Sequence, residues 1–249
     1  YDRSRQATSS SQFVATNDSV ILDTTRTMVG PVQFNWLNNN LDTTTARWKI
    51  IGQQVIMTPL IIPGGVFGPN PVMINSDQWD GYPYERQKFY DHLLANNIGN
   101  IIVLTGDIHT AWANDLPLNG YSDAVRDSSI GVEFVTPSIS SGNELPQQVT
   151  PVTIYALAPH VRYVELILHG YYVLDVTADR VQTDFVYVST VTSPQFTTST
   201  GPSWYVNNGE KFLRETAVSS VAANTYPPLA PQISTGIGTV SRGITTIMV

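Results

Sequence analysis

The 249-residue chain has no cysteine, few charged residues and no long apolar run. The lack of cysteine excludes disulfides and zinc–thiolate sites, but it leaves the cellular compartment open, since many exported bacterial proteins also lack cysteine. No stretch approaches the roughly 18 apolar residues that span a membrane as a helix. Only 13% of residues are charged and the net charge is -7, so nucleic acid is not expected as the main partner.

The remaining composition is that of a globular protein. Hydrophobic residues make up 42% of the chain, enough for one large domain or two small ones. Serine, threonine, asparagine and glutamine take the place of charge, which indicates a secreted, periplasmic or cell-surface protein. The sequence begins at Tyr1 rather than at methionine, and we therefore expect a processed product or a fragment.

The most informative stretch is residues 101–116, I-I-V-L-T-G-D-I-H-T-A-W-A-N-D-L. It opens with an apolar, β-branched run typical of a buried strand, and Asp107 and His109 follow at once. Ligands gather at the carboxyl ends of strands in open α/β sheets, and residues two apart point the same way in an extended chain. Carboxylate and imidazole together suit a metal that handles phosphate. The stretch therefore predicts a metal or catalytic site.

A structural interpretation of the same residues stands beside this one. An Asp and a His after a strand also occur as a hydrogen-bonded pair, with Asp107 capping the next turn. Because D-x-H specifies only two positions, spacing alone leaves both interpretations open.

Patterns along the chain predict several further elements. Helical spacing of apolar residues predicts helices over 32–41 and 84–96, the second opened by Pro83. Residues 46–55 read as a strand, and the proline- and glycine-rich residues 59–75 as a surface loop. The strand–loop–helix–strand order up to residue 101 favours a parallel crossover. Residues 171–176 and 181–191 alternate around a four-residue turn, which predicts a hairpin.

Long blocks in a fixed order carry a family resemblance. They are residues 48–55 (W-K-I-I-G-Q-Q-V), 77–83 (D-Q-W-D-G-Y-P) with Glu85 and Arg86, 101–116, 131–141 (G-V-E-F-V-T-P-S-I-S-S), 159–163 (P-H-V-R-Y) and 170–177 (G-Y-Y-V-L-D-V-T). Together they resemble the PhoD-like alkaline phosphatases, a branch of the calcineurin-like metallophosphoesterases. The resemblance covers residues 1–217 as the C-terminal half of that domain, and residues 218–249 form a Pro-, Thr- and Gly-rich extended tail.

The resemblance implies both a fold and a chemistry. The fold is α/β, a two-sheet sandwich flanked by helices, with a multinuclear metal centre at the edge of a sheet. The family hydrolyses phosphomonoesters and phosphodiesters, is typically exported, and uses iron and calcium. By motif position Asp107 and His109 would be metal ligands, and Asn114 and Asp115 would lie beside them as supporting or calcium-binding groups.

Two further residues are candidates for a catalytic role alongside His109. Arg162 carries a planar guanidinium that suits phosphate oxygens, although an ion pair with Glu165 is the structural alternative. His160 could assist the phosphate or the leaving group, although a lone histidine is often a hydrogen-bonding group without further function.

The family's upstream blocks, which complete the metal cage, do not occur in this sequence. Two side chains hold iron or calcium poorly, because such ions need several more donors. We therefore expect the chain to require a missing N-terminal segment or a companion chain to hydrolyse phosphate esters. The alternative is a non-catalytic structural subunit of an extracellular assembly, a homo-oligomer or larger, that docks through its tail.

Overall fold

The computed structural model describes residues 14–65, 69–142 and 149–220, and the backbone of a strand at Ile244–Met248. Within these residues the helices are α1 (Gly30–Thr43), α2 (Pro83–Ala95) and α3 (Pro151–Leu157), with 3-10 turns at Trp79–Gly81 and Asp123–Val125. The strands are β1 (Val14–Ala15), β2 (Trp48–Gly52), β3 (Ile61–Ile62), β4 (Val72–Met73), β5 (Ile101–Thr105), β6 (Ala111–Pro117), β7 (Ser129–Val135), β8 (Val161–Glu165), β9 (Gly170–Val176), β10 (Arg180–Val188), β11 (Thr198–Asn207), β12 (Arg214–Thr216) and β13 (Ile244–Met248).

The strands form one mixed sheet, one antiparallel sheet and one small accessory sheet. The mixed sheet has six strands in the order β13-β2-β5-β7-β6-β8, with β2, β5 and β7 running parallel. The antiparallel sheet has the order β12-β11-β10-β9, and the accessory sheet pairs β1, β4 and β3. The pairing of β2 with β5 confirms the predicted parallel crossover through α2, and β9–β10 is the predicted hairpin.

The central strands β5 and β7 are buried at nearly every position, which explains why they are mostly apolar without alternation. Consecutive residues of β2 point to opposite faces: Ile50 lies in the core shared with the antiparallel sheet, where Phe185 and Trp204 contribute, and Ile51 lies in the core under the helices. That second core includes Leu37 of α1 and Phe89 of α2. The predicted α/β sandwich flanked by helices is therefore confirmed.

The first turn of α2 contains a proline and a glutamate that fix where the helix starts. Pro83 occupies the first turn of α2, where its missing N–H is not needed for a helical hydrogen bond. Glu85, in the same turn, accepts hydrogen bonds from the backbone N–H groups of Met28 and Val29, the latter at 3.1 Å. The starts of α1 and α2 are thereby fixed against each other beneath the sheet.

The interpretation of residues 59–75 as a surface loop was wrong. They contain β3 and β4, and Leu60, Ile62 and Met73 are buried. Nine of the residues are proline, glycine or asparagine, which are typical of loops, and the strands between them are only two residues long, too short to show a pattern. The segment is an accessory sheet that covers part of the core.

The predicted tail contributes one strand to the fold. Ile244–Met248 pairs in parallel with Trp48–Gly52 and forms the edge of the mixed sheet. Residues 221–243 lie outside the described part of the chain, as do residues 1–13. The division into residues 1–217 and 218–249 remains a prediction.

Candidate metal site at the carboxyl end of strand β5

Asp107 and His109 lie in the turn 106–110 that joins β5 to β6. The N–H of Gly106 donates to the carbonyl of Gln54 at 3.3 Å, and the N–H of Thr136 donates to the carbonyl of Thr105 at 2.9 Å. The turn is thus held between the segments that leave β2 and β7. Because these three strands are parallel neighbours, their carboxyl ends meet at one edge, the place where α/β sheets bind ligands.

The backbone of this turn is not extended, contrary to the geometry expected from the sequence. Asp107 has φ 70° and His109 has φ 63°, the left-handed region that residues other than glycine rarely adopt. Ile108 between them is buried in the core. Such conformations cost on the order of 1–3 kcal/mol each and are concentrated at functional sites.

The ring of His109 is fixed through one nitrogen. Its Nδ1 lies 2.9 Å from the carbonyl oxygen of Gly142, and since a carbonyl only accepts hydrogen bonds, Nδ1 carries the proton. Nε2 of the neutral ring then presents a lone pair. Metal-binding histidines characteristically donate their second ring N–H to a carbonyl or carboxylate in this way.

Asp107 is the second potential donor. Its side chain is exposed and makes no hydrogen bond or ion pair within the described residues. No group of three or more His, Cys, Asp or Glu residues that could hold a metal occurs in the part of the chain that the structure describes. Asp107 and His109 are thus two potential donors, fewer than the several that iron or calcium needs.

Asn114 and Asp115 are fully buried in β6, and their contacts are with other elements. The Nδ2 of Asn114 donates to Glu133 at 3.3 Å. Asp115 accepts hydrogen bonds from the hydroxyl of Tyr121 and the N–H of Leu213, both at 2.6 Å. Neither side chain makes a hydrogen bond or ion pair to Asp107 or His109, the residues beside which they were expected. The contacts observed join β6 to β7 and to the loops that contain Tyr121 and Leu213.

Glu133 is a residue that the sequence reasoning missed. It is fully buried on β7 and accepts hydrogen bonds from the N–H groups of Met57 (2.7 Å) and Thr58 (3.0 Å) and from Thr105 Oγ1 (2.7 Å), besides that from Asn114. Burial raises its pKa, against the opposing effect of these four hydrogen bonds. The sequence could have identified it, because Glu133 is a lone carboxylate in an otherwise apolar predicted strand, G-V-E-F-V. Its contacts place it directly beneath the end of β5.

Arg162 and His160 are occupied by contacts within the chain. Arg162 forms an ion pair with Asp123, not with Glu165, and donates to the carbonyl of Pro159 at 3.0 Å. The Nε2 of His160 donates to the carbonyl of Pro59 at 2.8 Å, and burial lowers the pKa of its ring. Neither side chain contacts Asp107 or His109 in the described residues.

Asp80, in the W-D-G-Y-P block, is part of a buried ion pair. Its Oδ1 lies 2.7 Å from Arg86 and its Oδ2 accepts the N–H of Leu60 at 2.8 Å. The indole N–H of neighbouring Trp79 donates to Gln53 at 3.0 Å, and Gln53 in turn donates to Thr105 Oγ1 at 3.0 Å. This block therefore braces the segments that leave β2 and β5.

None of the helices in the described part of the chain combines the length and the apolar character that a membrane crossing needs.

Comparison with known proteins gives one consistent result. The sequence profile of the PhoD-like phosphatase family matches residues 2–185. Alkaline phosphatase D of Bacillus subtilis (strain 168) is 32% identical over 200 residues, which are 79% of this chain and 33% of that protein.

A solved structure agrees with the sequence comparison. The structure titled "Structure of PhoD" matches with a TM-score of 0.75 and 28% identity, covering 89% of this chain and 41% of that chain. The chain therefore spans about a third to two fifths of the length of the relatives it matches. The family profile covers most of the sequence and the fold agrees over nearly all of it, so this chain belongs to the PhoD-like phosphatase family.

Proposed function

We propose that this chain supplies Asp107 and His109 to the metal centre of a secreted phosphoesterase that hydrolyses phosphomonoesters and phosphodiesters. The main support is the hydrogen bond of 2.9 Å between His109 Nδ1 and the carbonyl of Gly142, because it leaves the lone pair of Nε2 available to bind a metal. The exposed Asp107 lies two residues away in the same turn. Membership of the family and similarity to an enzyme named alkaline phosphatase D support the reaction class.

Asp107 and His109 would contribute different donor atoms to the metal centre. A bound cation would act as a Lewis acid toward the phosphoryl oxygens, and iron and calcium are the cations we propose. Asp107 offers hard oxygen and His109 borderline nitrogen, a mixed donor set that suits iron, while calcium takes oxygen ligands only. The remaining donors would come from a segment or companion chain that corresponds to the rest of the relatives' length.

Arg162 and His160 would have secondary roles, phosphate binding and proton transfer. For Arg162 to bind phosphate it must exchange Asp123, which is exposed, for the substrate. His160 would have to release the carbonyl of Pro59 before it could transfer a proton. We propose that the ligand pair, and not these two residues, carries the function of this chain.

The alternative is a non-catalytic subunit that retains the fold in an assembly. One observation favours it: Ile244–Met248 adds a parallel strand at the edge of the mixed sheet, the kind of pairing through which a neighbouring copy could dock. Native mass spectrometry of the protein from its source separates the two possibilities. A longer chain or a tightly held companion supports the enzyme, whereas only multiples of 27.4 kDa support the structural subunit.

The metal-site proposal is tested by substitution. In the complete protein, which includes the segment or companion chain with the remaining donors, His109→Ala and Asp107→Asn should lower iron and calcium content, measured by mass spectrometry of the elements, and abolish hydrolysis of aryl phosphate mono- and diesters. His92→Ala is the matched control, because His92 lies on α2 and pairs with Asp42 at 2.8 Å, away from this turn. Unchanged metal content and activity in His109→Ala would refute the proposal.

A further inference from the structure

A second histidine, His169, contacts the loop that supplies the hydrogen-bond acceptor of His109. The Nδ1 of His169 lies 2.9 Å from Ser138 Oγ, and Ser138 Oγ lies 2.5 Å from the carbonyl oxygen of Ser141. A serine hydroxyl has one proton. Because that proton is donated to the Ser141 carbonyl, the same Oγ must accept the N–H of His169.

The loop in question, residues 138–142, connects this pair to the candidate ligand. Gly142 directly follows Ser141, and its carbonyl is the acceptor for His109 Nδ1 at 2.9 Å. The Ser138–Ser141 hydrogen bond closes the loop on itself one residue before that carbonyl. The position of the acceptor thus depends on the conformation that Ser138 enforces.

His169 is itself anchored to the antiparallel sheet. Its carbonyl accepts the N–H of Val188 at 2.9 Å, and the N–H of Gly170 donates to the Ser138 carbonyl at 3.3 Å. His169 is half-buried. The contact therefore joins the loop after β7 in one sheet to the start of β9 in the other.

We infer that Ser138 and His169 are positioning residues for His109: they hold the Gly142 carbonyl where it selects the Nδ1-protonated ring and keeps Nε2 available. The inference rests on the proposed function for its purpose, but its geometry is independent of any metal. Groups that orient a metal-binding histidine typically contribute 10–100-fold to metal affinity, and the same range is expected here.

The test uses the 249-residue chain and reads the tautomer of His109 directly. Two-dimensional correlation of ring protons with ring nitrogens gives separate signals for the protonated and the unprotonated nitrogen. The chain has four histidines, so comparison with the His109→Ala variant assigns the signals. We expect His109 to carry its proton on Nδ1 in the unsubstituted, metal-free chain at neutral pH.

In the 249-residue chain, Ser138→Ala and His169→Ala should shift His109 toward a mixture of tautomers. In the complete protein, where the further segment or companion chain supplies the remaining donors, they should weaken iron binding about tenfold, measured by titration calorimetry. Ser138→Thr keeps the hydroxyl, and His169→Asn places an amide N–H close to the position of Nδ1, so both should restore the Nδ1 tautomer. Ser140→Ala, an exposed serine of the same loop, should change neither readout.

Two results overturn the inference: a His109 that is protonated on Nε2 in the unsubstituted chain, or a tautomer that Ser138→Ala and His169→Ala leave unaltered. A tautomer that shifts as expected, in a complete protein that binds no iron, supports the positioning role and refutes the proposed metal site. The two hypotheses therefore fail separately.

Discussion

Thr105 Oγ1 donates a hydrogen bond of 2.7 Å to Oε1 of Glu133, so the last residue of β5 is held by a fully buried carboxylate on β7. The same carboxylate accepts the N–H groups of Met57 and Thr58 from the segment after β2. The Glu133 side chain thus joins β7 to the end of β5 and to the segment after β2, next to the Asp107–His109 turn. Its removal should affect the fold first and the site as a consequence.

Replacement of Glu133 by alanine is expected to destabilise the protein by about 3 kcal/mol. The substitution leaves two backbone N–H groups, a hydroxyl and an amide buried without acceptors, and each unsatisfied group is costly in a low-dielectric interior. Urea unfolding followed by circular dichroism measures the loss as a lower midpoint. Glu215→Ala, at an exposed position of β12, is the control and should stay within about 0.5 kcal/mol of the original.

The pH dependence of stability should carry the signature of Glu133. Because burial raises its pKa above the ordinary value of 4.5, the folded protein retains a proton that the unfolded chain loses. The stabilisation that this proton gives to the folded state is fully present below pH 4.5, the ordinary pKa, and is lost as the pH rises through the folded-state pKa. The free energy of unfolding, taken relative to Glu133→Gln, should therefore fall as pH increases from about 4.5. A relative stability that rises over this range would show that the four hydrogen bonds outweigh desolvation.

Local patterns in the sequence were sufficient for much of the fold. Pro83 and the apolar spacing behind it predicted α2, and alternation around a short turn predicted the β9–β10 hairpin, because both signals lie within one element. The accessory strands β3 and β4 were missed because two-residue strands show no periodicity. At the candidate site, the apolar run before Thr105-Gly106 predicted β5 and its end correctly, but neither the positive φ values nor the partners of Asn114 and Asp115 could be predicted from local sequence. Those partners, Glu133 and Leu213, come from other parts of the chain.

Asp115 gives a prediction that separates structure from metal binding. Asp115→Ala should cost about 2–3 kcal/mol, because the buried N–H of Leu213 loses its acceptor. Tyr121→Phe removes only the hydroxyl that donates to the same carboxylate and should cost about 1 kcal/mol. Thermal and urea unfolding report both values.

Asp115→Asn keeps an oxygen that can accept from Leu213, so it should fold with metal affinity within twofold of the original chain. A loss of affinity as large as that of Asp107→Asn would place Asp115 in the metal site, as the family resemblance implied.

The C-terminal strand provides the last prediction. Ile244–Met248 pairs with Trp48–Gly52 along its full length and covers the edge of the mixed sheet. An uncovered edge strand presents unpaired N–H and C=O groups that recruit other strands. If the tail serves assembly, by pairing in the same way with a neighbouring copy, then deletion of residues 225–249 should abolish oligomers while the sandwich stays folded.

Light scattering coupled to size-exclusion chromatography measures the mass, and circular dichroism verifies the fold. A second variant, Thr246→Pro, keeps the full length of the chain but removes one N–H from the strand and disfavours its pairing in a sheet. Both variants should lose the assembled species if strand pairing holds it. If the truncated chain still assembles, the tail is not the docking element. If it instead forms larger aggregates, the strand protects its own β2 edge, because an exposed edge then pairs without specificity.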